Sequence, residues 1–144
     1  MTRYFFKFTL LGYLILSGIP NLPVHAQSVQ FSDDQIRRYA GAAAAIEKKR
    51  EDVWKRAKNY TGWGELVNKA DTQGVSVCGL KKPEQPVVIQ TLCGELFDFS
   101  IQEIRRNGFS NNRDFNQITQ AQQQNIQLQK RIQGEILELT TPKK

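Results

Sequence analysis

Cys78 and Cys93 are the only thiols in this 144-residue chain, and His25 is its only imidazole. Fourteen residues separate the two cysteines, which is not the spacing of a redox dithiol. Two thiolates without histidine also fall short of a zinc site. The pair reads as a structural disulfide, closing a loop of about 15 residues worth about 3 kcal/mol in the chain-entropy model. Carboxylates offer little more. Glycoside hydrolysis needs two of them facing each other, about 5–9.5 Å apart. Asp33 and Asp34 sit at a helix start, where they serve the helix dipole. Glu95, Asp98 and Glu103 hold ordinary positions along one helix, and Glu47 has Arg50 three residues on to neutralise it. No nucleophile elbow, phosphate loop, zinc-protease or calcium-loop motif is present. No catalytic residue, cofactor or metal ligand is expected.

The first 26 residues sharpen this. Arg3 and Lys7 precede an apolar run over residues 8–19, then Pro20, Pro23 and Val24-His25-Ala26. That is a secretory leader with cleavage expected after Ala26. An uncleaved anchor needs about 17–25 apolar residues, and here twelve are followed by two prolines. Cleavage leaves 118 residues at net +4, without His or Met. Histidine-based catalysis and histidine metal sites are then closed by composition. Export places the protein in a periplasm or outside the cell, where disulfides persist.

The elements that must position these residues read as helices. Phe31-Ser32-Asp33-Asp34-Gln35-Ile36 combines an N-cap serine, a capping box and a hydrophobic staple. Helix 1 is expected to about Tyr60, with Ile36, Tyr39, Ala40, Ala43, Ile46, Val53, Trp54 and Ala57 on one face. Glu47 and Arg50 share that face. They read as a half-buried ion pair, extended by Asn116 and Thr119 from helix 3, with the lining of a small ligand pocket as the alternative. Residues 61–83 read as a long loop tied by the disulfide, in which Glu65–Lys69 could make one helical turn. Helix 2 is expected over 84–106, with Gly94 inside it, for which close packing of a neighbour is one explanation, and Asn107-Gly108 ends it. Ser110 caps helix 3, and helix 4 covers about 125–139; whether these two are separate is open. Eight of residues 117–133 are Gln, which fits a solvated helix face interrupted by regular apolar positions. The fold class is therefore all-α: a small bundle of three to four helices over 27–144, ordered across 31–139 with a polar tail at 140–144.

Several of these pieces together resemble a known family: Phe31-Ser32-Asp33-Asp34, Tyr39-Ala40, Ala45-Ile46-Glu47 and Arg50, then Cys78 and Cys93. Asn107-Gly108-Phe109, Phe115-Asn116-Gln117-Ile118-Thr119, Leu128, Arg131-Ile132 and Glu135-Ile136 complete the pattern. The chain resembles an exported, mostly cyanobacterial family described only as a domain of unknown function, number 4168. The resemblance spans about residues 31–139 and implies an exported helical domain with no assigned activity. A cyanobacterial source would add the thylakoid lumen to the possible destinations.

A binding or interaction module in the cell envelope is the expected role, with a protein as the expected partner. The alternative is association with anionic lipid or wall polymer through a basic and aromatic surface: Arg38, Lys49, Lys55, Arg56, Lys58, Tyr60 and Trp63. An enzyme without histidine ranks third. Nucleic acid is not expected, because no recognition motif is present.

Overall fold

Ser32 opens the fold by satisfying backbone groups that a helix start leaves free. Its hydroxyl accepts from Gln35 N–H at 3.1 Å, and the Gln35 side chain accepts from Ser32 N–H at 2.9 Å. Phe31 packs against the same hydrophobic cluster as Ile36. A computed structural model describes residues 30–141; the expected leader at 1–26 and most of the polar tail lie outside them. From the Ser32 cap, α1 runs over Asp33–Ala57. It is followed by α2 (Trp63–Thr72), two short 3-10 turns (Val77–Gly79 and Lys82–Glu84), α3 (Val87–Arg106), α4 (Asn112–Gln124) and α5 (Ile126–Thr140).

The chain is all-α among the described residues, with five helices instead of three to four. The extra one, α2, lies in the stretch expected to be loop. Leu66 and Ala70, one turn apart, are its buried residues, Glu65 sits in its first turn and Lys69 in its last. Gly74, at φ +66°, follows its end. Two inward residues between flanking glycines give a periodic signal that supports one turn over Glu65–Lys69 but not a helix of ten residues. Three boundaries also move. α1 ends at Ala57, α3 begins only after Pro86, and Asn111 instead of Ser110 caps α4 by accepting from Asp114 N–H at 3.0 Å. Asn125 separates α4 from α5. Its backbone is extended and its side chain accepts from the N–H groups of Gln127 and Leu128, so one residue ends one helix and caps the next.

Two hydrophobic clusters hold the helices. The first joins the N-terminal half of α1 to the end of α3 and to α4 and α5, around Ile36, Tyr39, Ile46, Phe115, Ile118 and Ile132. The second joins the C-terminal half of α1 to α2, the first 3-10 turn and the start of α3, around Val53, Leu66, Leu80 and Ile89. Only α1 and α3 belong to both. They run antiparallel, because Arg56 pairs with Glu95 while Arg38 reaches Gly108. α5 lies parallel to α1, in a register fixed by Asp33 with Arg131 and Arg37 with Glu135. The Cys78–Cys93 disulfide ties the first 3-10 turn to α3 beside the second cluster, with Cα atoms 5.5 Å apart.

Candidate interaction surface

Tyr39 is fully buried on α1, and its hydroxyl has to find partners there. Gln122 Nε2 donates to it at 2.7 Å, and it lies 3.0 Å from Thr119 Oγ1. Thr119 in turn donates to the Phe115 carbonyl at 3.2 Å, so the direction of the chain is set: Gln122 to Tyr39 to Thr119 to backbone. Burial pushes the Tyr39 phenol up to about 12. Its ring stacks on Phe115 at 4.5 Å, and Phe109 meets Phe115 edge-on at 5.6 Å. This network fixes α4 against α1. A phenol held neutral and fully partnered has no free valence for a ligand.

The turn between α3 and α4 is locked in a second way. Gly108 adopts φ +83°, and a Cβ there would meet Arg38 Nη1 at 3.0 Å. Arg38 donates to the Gly108 carbonyl, pairs with Asp34 at 2.8 Å and lies over the Phe109 ring at 5.8 Å. A Cβ at Gly41 would fall 2.6 Å from Asn107 Oδ1, so glycine there lets the end of α3 approach α1. Sequence assigned Arg38 to a basic surface; its place in the fold is an anchor.

Glu47 and Arg50 meet at 2.5 Å, each about one quarter exposed. They lie between Ile46 of the first cluster and Val53 of the second, at the waist where α1 passes from one core to the other. The expected extension to Asn116 and Thr119 is not seen. Thr119 belongs to the Tyr39 network, and half-buried Asn116 makes no side-chain hydrogen bond among the described residues. The physical reason is that Tyr39 and Thr119 face each other across the buried side of α4, well inside the first cluster, whereas Glu47 lies beyond it.

The basic and aromatic surface is also redistributed. Arg56 and Lys49 converge on Glu95 and hold its carboxyl at about 2, through hydrogen bonds first and charge second. Lys49 lies over the Phe99 ring at 5.7 Å as well. Tyr60, Trp63 and Trp54 pack against the second cluster, with Trp54 and Trp63 tilted at 5.6 Å. Of the seven residues assigned to this surface, Lys55 and Lys58 are left exposed without an ion pair among the described residues. The other glutamates that are buried or half-buried have a cation as well: buried Glu103 with Arg106, and half-buried Glu84 with Lys69 and Glu135 with Arg37.

One face is chemically unlike the rest. In a chain that is 24% charged, residues 115–129 contain no Asp, Glu, Lys or Arg. The exposed members of this stretch are Gln117, Gln120, Gln123, Gln124, Asn125, Ile126 and Gln127. Gln117, Gln120 and Gln124 recur at three and four residues, so they line one solvent-facing stripe of α4. Ile126, 62% exposed, stands at the corner where α5 begins. The glutamine content was legible in sequence; that the stripe ends on an exposed isoleucine required the corner at Asn125.

Among the described residues, no group of three or more His, Cys, Asp or Glu side chains could hold a metal ion. No helix there is long and apolar enough to cross a membrane. A family described as "Domain of unknown function (DUF4168)" matches residues 32–132. No curated protein and no solved structure matches.

Proposed function

We propose, from the premise that the chain belongs to this family of domains of unknown function, that it is an exported, non-catalytic module that binds a protein partner. The binding surface is the outer stripe of α4 from Gln117 to Gln124, which carries no charge, with the corner at Ile126. The observation that carries this reading is the absence of charge over residues 115–129 on exposed helix. Protein interfaces are depleted of charge at their centres, because each charge buried there has to be desolvated. Amides and an exposed isoleucine do not meet that penalty. A non-catalytic role is supported by the buried and half-buried glutamates, each of which is neutralised by a lysine or arginine. Export, to a periplasm or beyond the cell, is supported by the leader pattern of residues 1–26 and by the disulfide. The test is affinity capture from the exporting compartment with wild type and with the double variant Gln120→Glu, Gln124→Glu. The reading expects a protein captured by wild type and lost with the variant. Equal capture by both places the binding surface elsewhere.

A second reading, association with anionic lipid or wall polymer, rests on exposed Lys55 and Lys58 beside half-buried Trp54, Tyr60 and Trp63. It expects sedimentation with anionic liposomes that weakens as salt rises. Absence of binding at low ionic strength ends it.

A further inference from the structure

We propose a second binding surface, at the opposite end of the molecule from the α4 corner: the tip formed by Lys81, Lys82, Val87 and Val88 docks on an anionic lipid surface. It does not depend on the α4 role. It rests on the lipid arm of the second reading and moves it to four residues outside the surface expected from sequence. The disulfide lobe builds this tip. Gln85 Nε2 donates to the Leu80 carbonyl at 2.6 Å and to the Cys78 carbonyl at 3.2 Å, and Gln90 Nε2 donates to the Lys82 carbonyl at 3.0 Å. The turn that carries both lysines is thereby held against the start of α3, where Val87 is 77% exposed and Val88 48%. Neither valine can turn inward, because Ile89 and Leu92 already occupy the buried face of α3. A tip fixed in this way presents its side chains with little ordering cost on binding.

Charge complementarity decides the occupant. Of the six large hydrophobic side chains exposed among the described residues, Phe97 is followed by exposed Asp98, Leu137 and Leu139 flank exposed Glu138, and Ile126 lies in the charge-free stretch. Only Val87 and Val88 stand beside free cations. Lys81 and Lys82 are exposed and have no ion pair among the described residues, and the one acid of their turn, Glu84, is held by Lys69 and Gln73. The exposed, unpaired acids of the lobe, Glu51, Glu65 and Asp71, lie on α1 and α2. The first turn of α3 holds no acid and Pro86 gives it no side-chain cap, so the positive end of its dipole adds to the lysines. Apolar side chains beside unpaired cations match the headgroup boundary of an anionic membrane, where the valines enter the acyl edge and the lysines reach lipid phosphates. A soluble polyanion would satisfy the lysines and leave the valines in water.

The orientation leaves the α4 surface free. α3 is antiparallel to α1, so its start lies at the C-terminal end of α1. Ile126 lies at the other end, five residues before the Arg131 that pairs with Asp33. α1 spans 25 residues, about 37 Å, between the two.

The experiment is co-sedimentation of the disulfide-bonded chain, purified from the exporting compartment, with two kinds of vesicle: phosphatidylcholine alone, and equal parts phosphatidylcholine and phosphatidylglycerol. Wild type is expected to bind only the anionic vesicles, less as salt rises. Lys81→Gln, Lys82→Gln is expected to lower the affinity about 25-fold, at about fivefold for each lysine near an anionic surface. Val87→Ser, Val88→Ser is expected to lower it about tenfold or more. Both change exposed positions, and an unchanged urea midpoint checks that each still folds. Gln120→Ala, Gln124→Ala on α4 is expected to bind as wild type. Wild type that binds neither vesicle overturns the proposal. So does a lysine variant that binds as wild type. A valine variant that binds as wild type shows charge alone at work, as with a soluble polyanion, and overturns it too. If both tip variants bind fully and Lys55→Gln, Lys58→Gln does not, the second reading stands at its own residues and the tip is not the lipid contact.

Discussion

Replacing Tyr39 by Phe removes one oxygen from the centre of the first hydrophobic cluster and keeps the ring that stacks on Phe115. Gln122, only 7% exposed, then keeps a buried N–H with nothing to receive it, and Thr119 loses the donor at 3.0 Å. A buried polar group stripped of its partner costs about 1–3 kcal/mol. The expected destabilisation is about 2 kcal/mol by urea titration, with a thermal midpoint lower by about 10 °C. The pH dependence gives a second reading of the same hydroxyl. Burial raises the folded phenol to about 12, against 10.0 for an ordinary tyrosine. Between those values the folded state holds a proton that the unfolded state has released. Wild-type stability therefore falls as pH rises from about 10 to 12, by up to about 3 kcal/mol from this group. Tyr39→Phe has no such proton, so its stability falls less over that range. A variant within 0.5 kcal/mol of wild type, or two identical alkaline profiles, would refute a buried and fully partnered hydroxyl.

Three further outcomes follow from the same geometry. The double variant Cys78→Ser, Cys93→Ser is expected to lose about 3 kcal/mol, with hydrogen exchange rising in α2 and residues 73–86 more than in α4 and α5. Equal loosening throughout would contradict two separate clusters. Glu95 titrates at about 2 instead of 4.5, so its pairing with Arg56 and Lys49 stabilises the fold above that ordinary value and is lost as pH falls toward 2. Glu95→Gln is accordingly expected to flatten the acid limb of the stability profile, and an unchanged limb would count against the pairing. Gly94 faces open space within α3, so Gly94→Ala is expected to stabilise the protein by about 1 kcal/mol through helix propensity alone; a lower midpoint would reveal a contact that the fold does not display.

Local signals made much of this fold legible in sequence. The Ser32 capping box, the apolar face of α1, the disulfide and the Asn107-Gly108 stop all depend on residues a few positions apart or on a forced pairing. What depended on long-range packing was not legible. Glu47 and Thr119 both face inward, yet they lie in different neighbourhoods, because α4 meets α1 around Tyr39 within the first cluster. Lys49 and Arg56 look like a solvated stripe until α3 brings Glu95 to them. Gly94, expected to mark close packing, meets nothing within 4 Å. The close approach occurs instead at Gly41, where Asn107 comes from 66 residues further along the chain. α2 was legible only as a single turn over Glu65–Lys69, because its inward signal is two residues. For the candidate surface, the glutamines and their solvated helix face were visible but where that face ends was not, since its limit is set by the break at Asn125.

The claim that the outer stripe of α4 is where a protein binds is tested most directly by photo-crosslinking in the exporting compartment. A photoreactive side chain is placed at Gln120 in one sample and at Thr91, exposed on α3, in another. Discrete protein adducts from position 120 and none from position 91 are the predicted result. Adducts from position 91 alone, or from neither position, would contradict it.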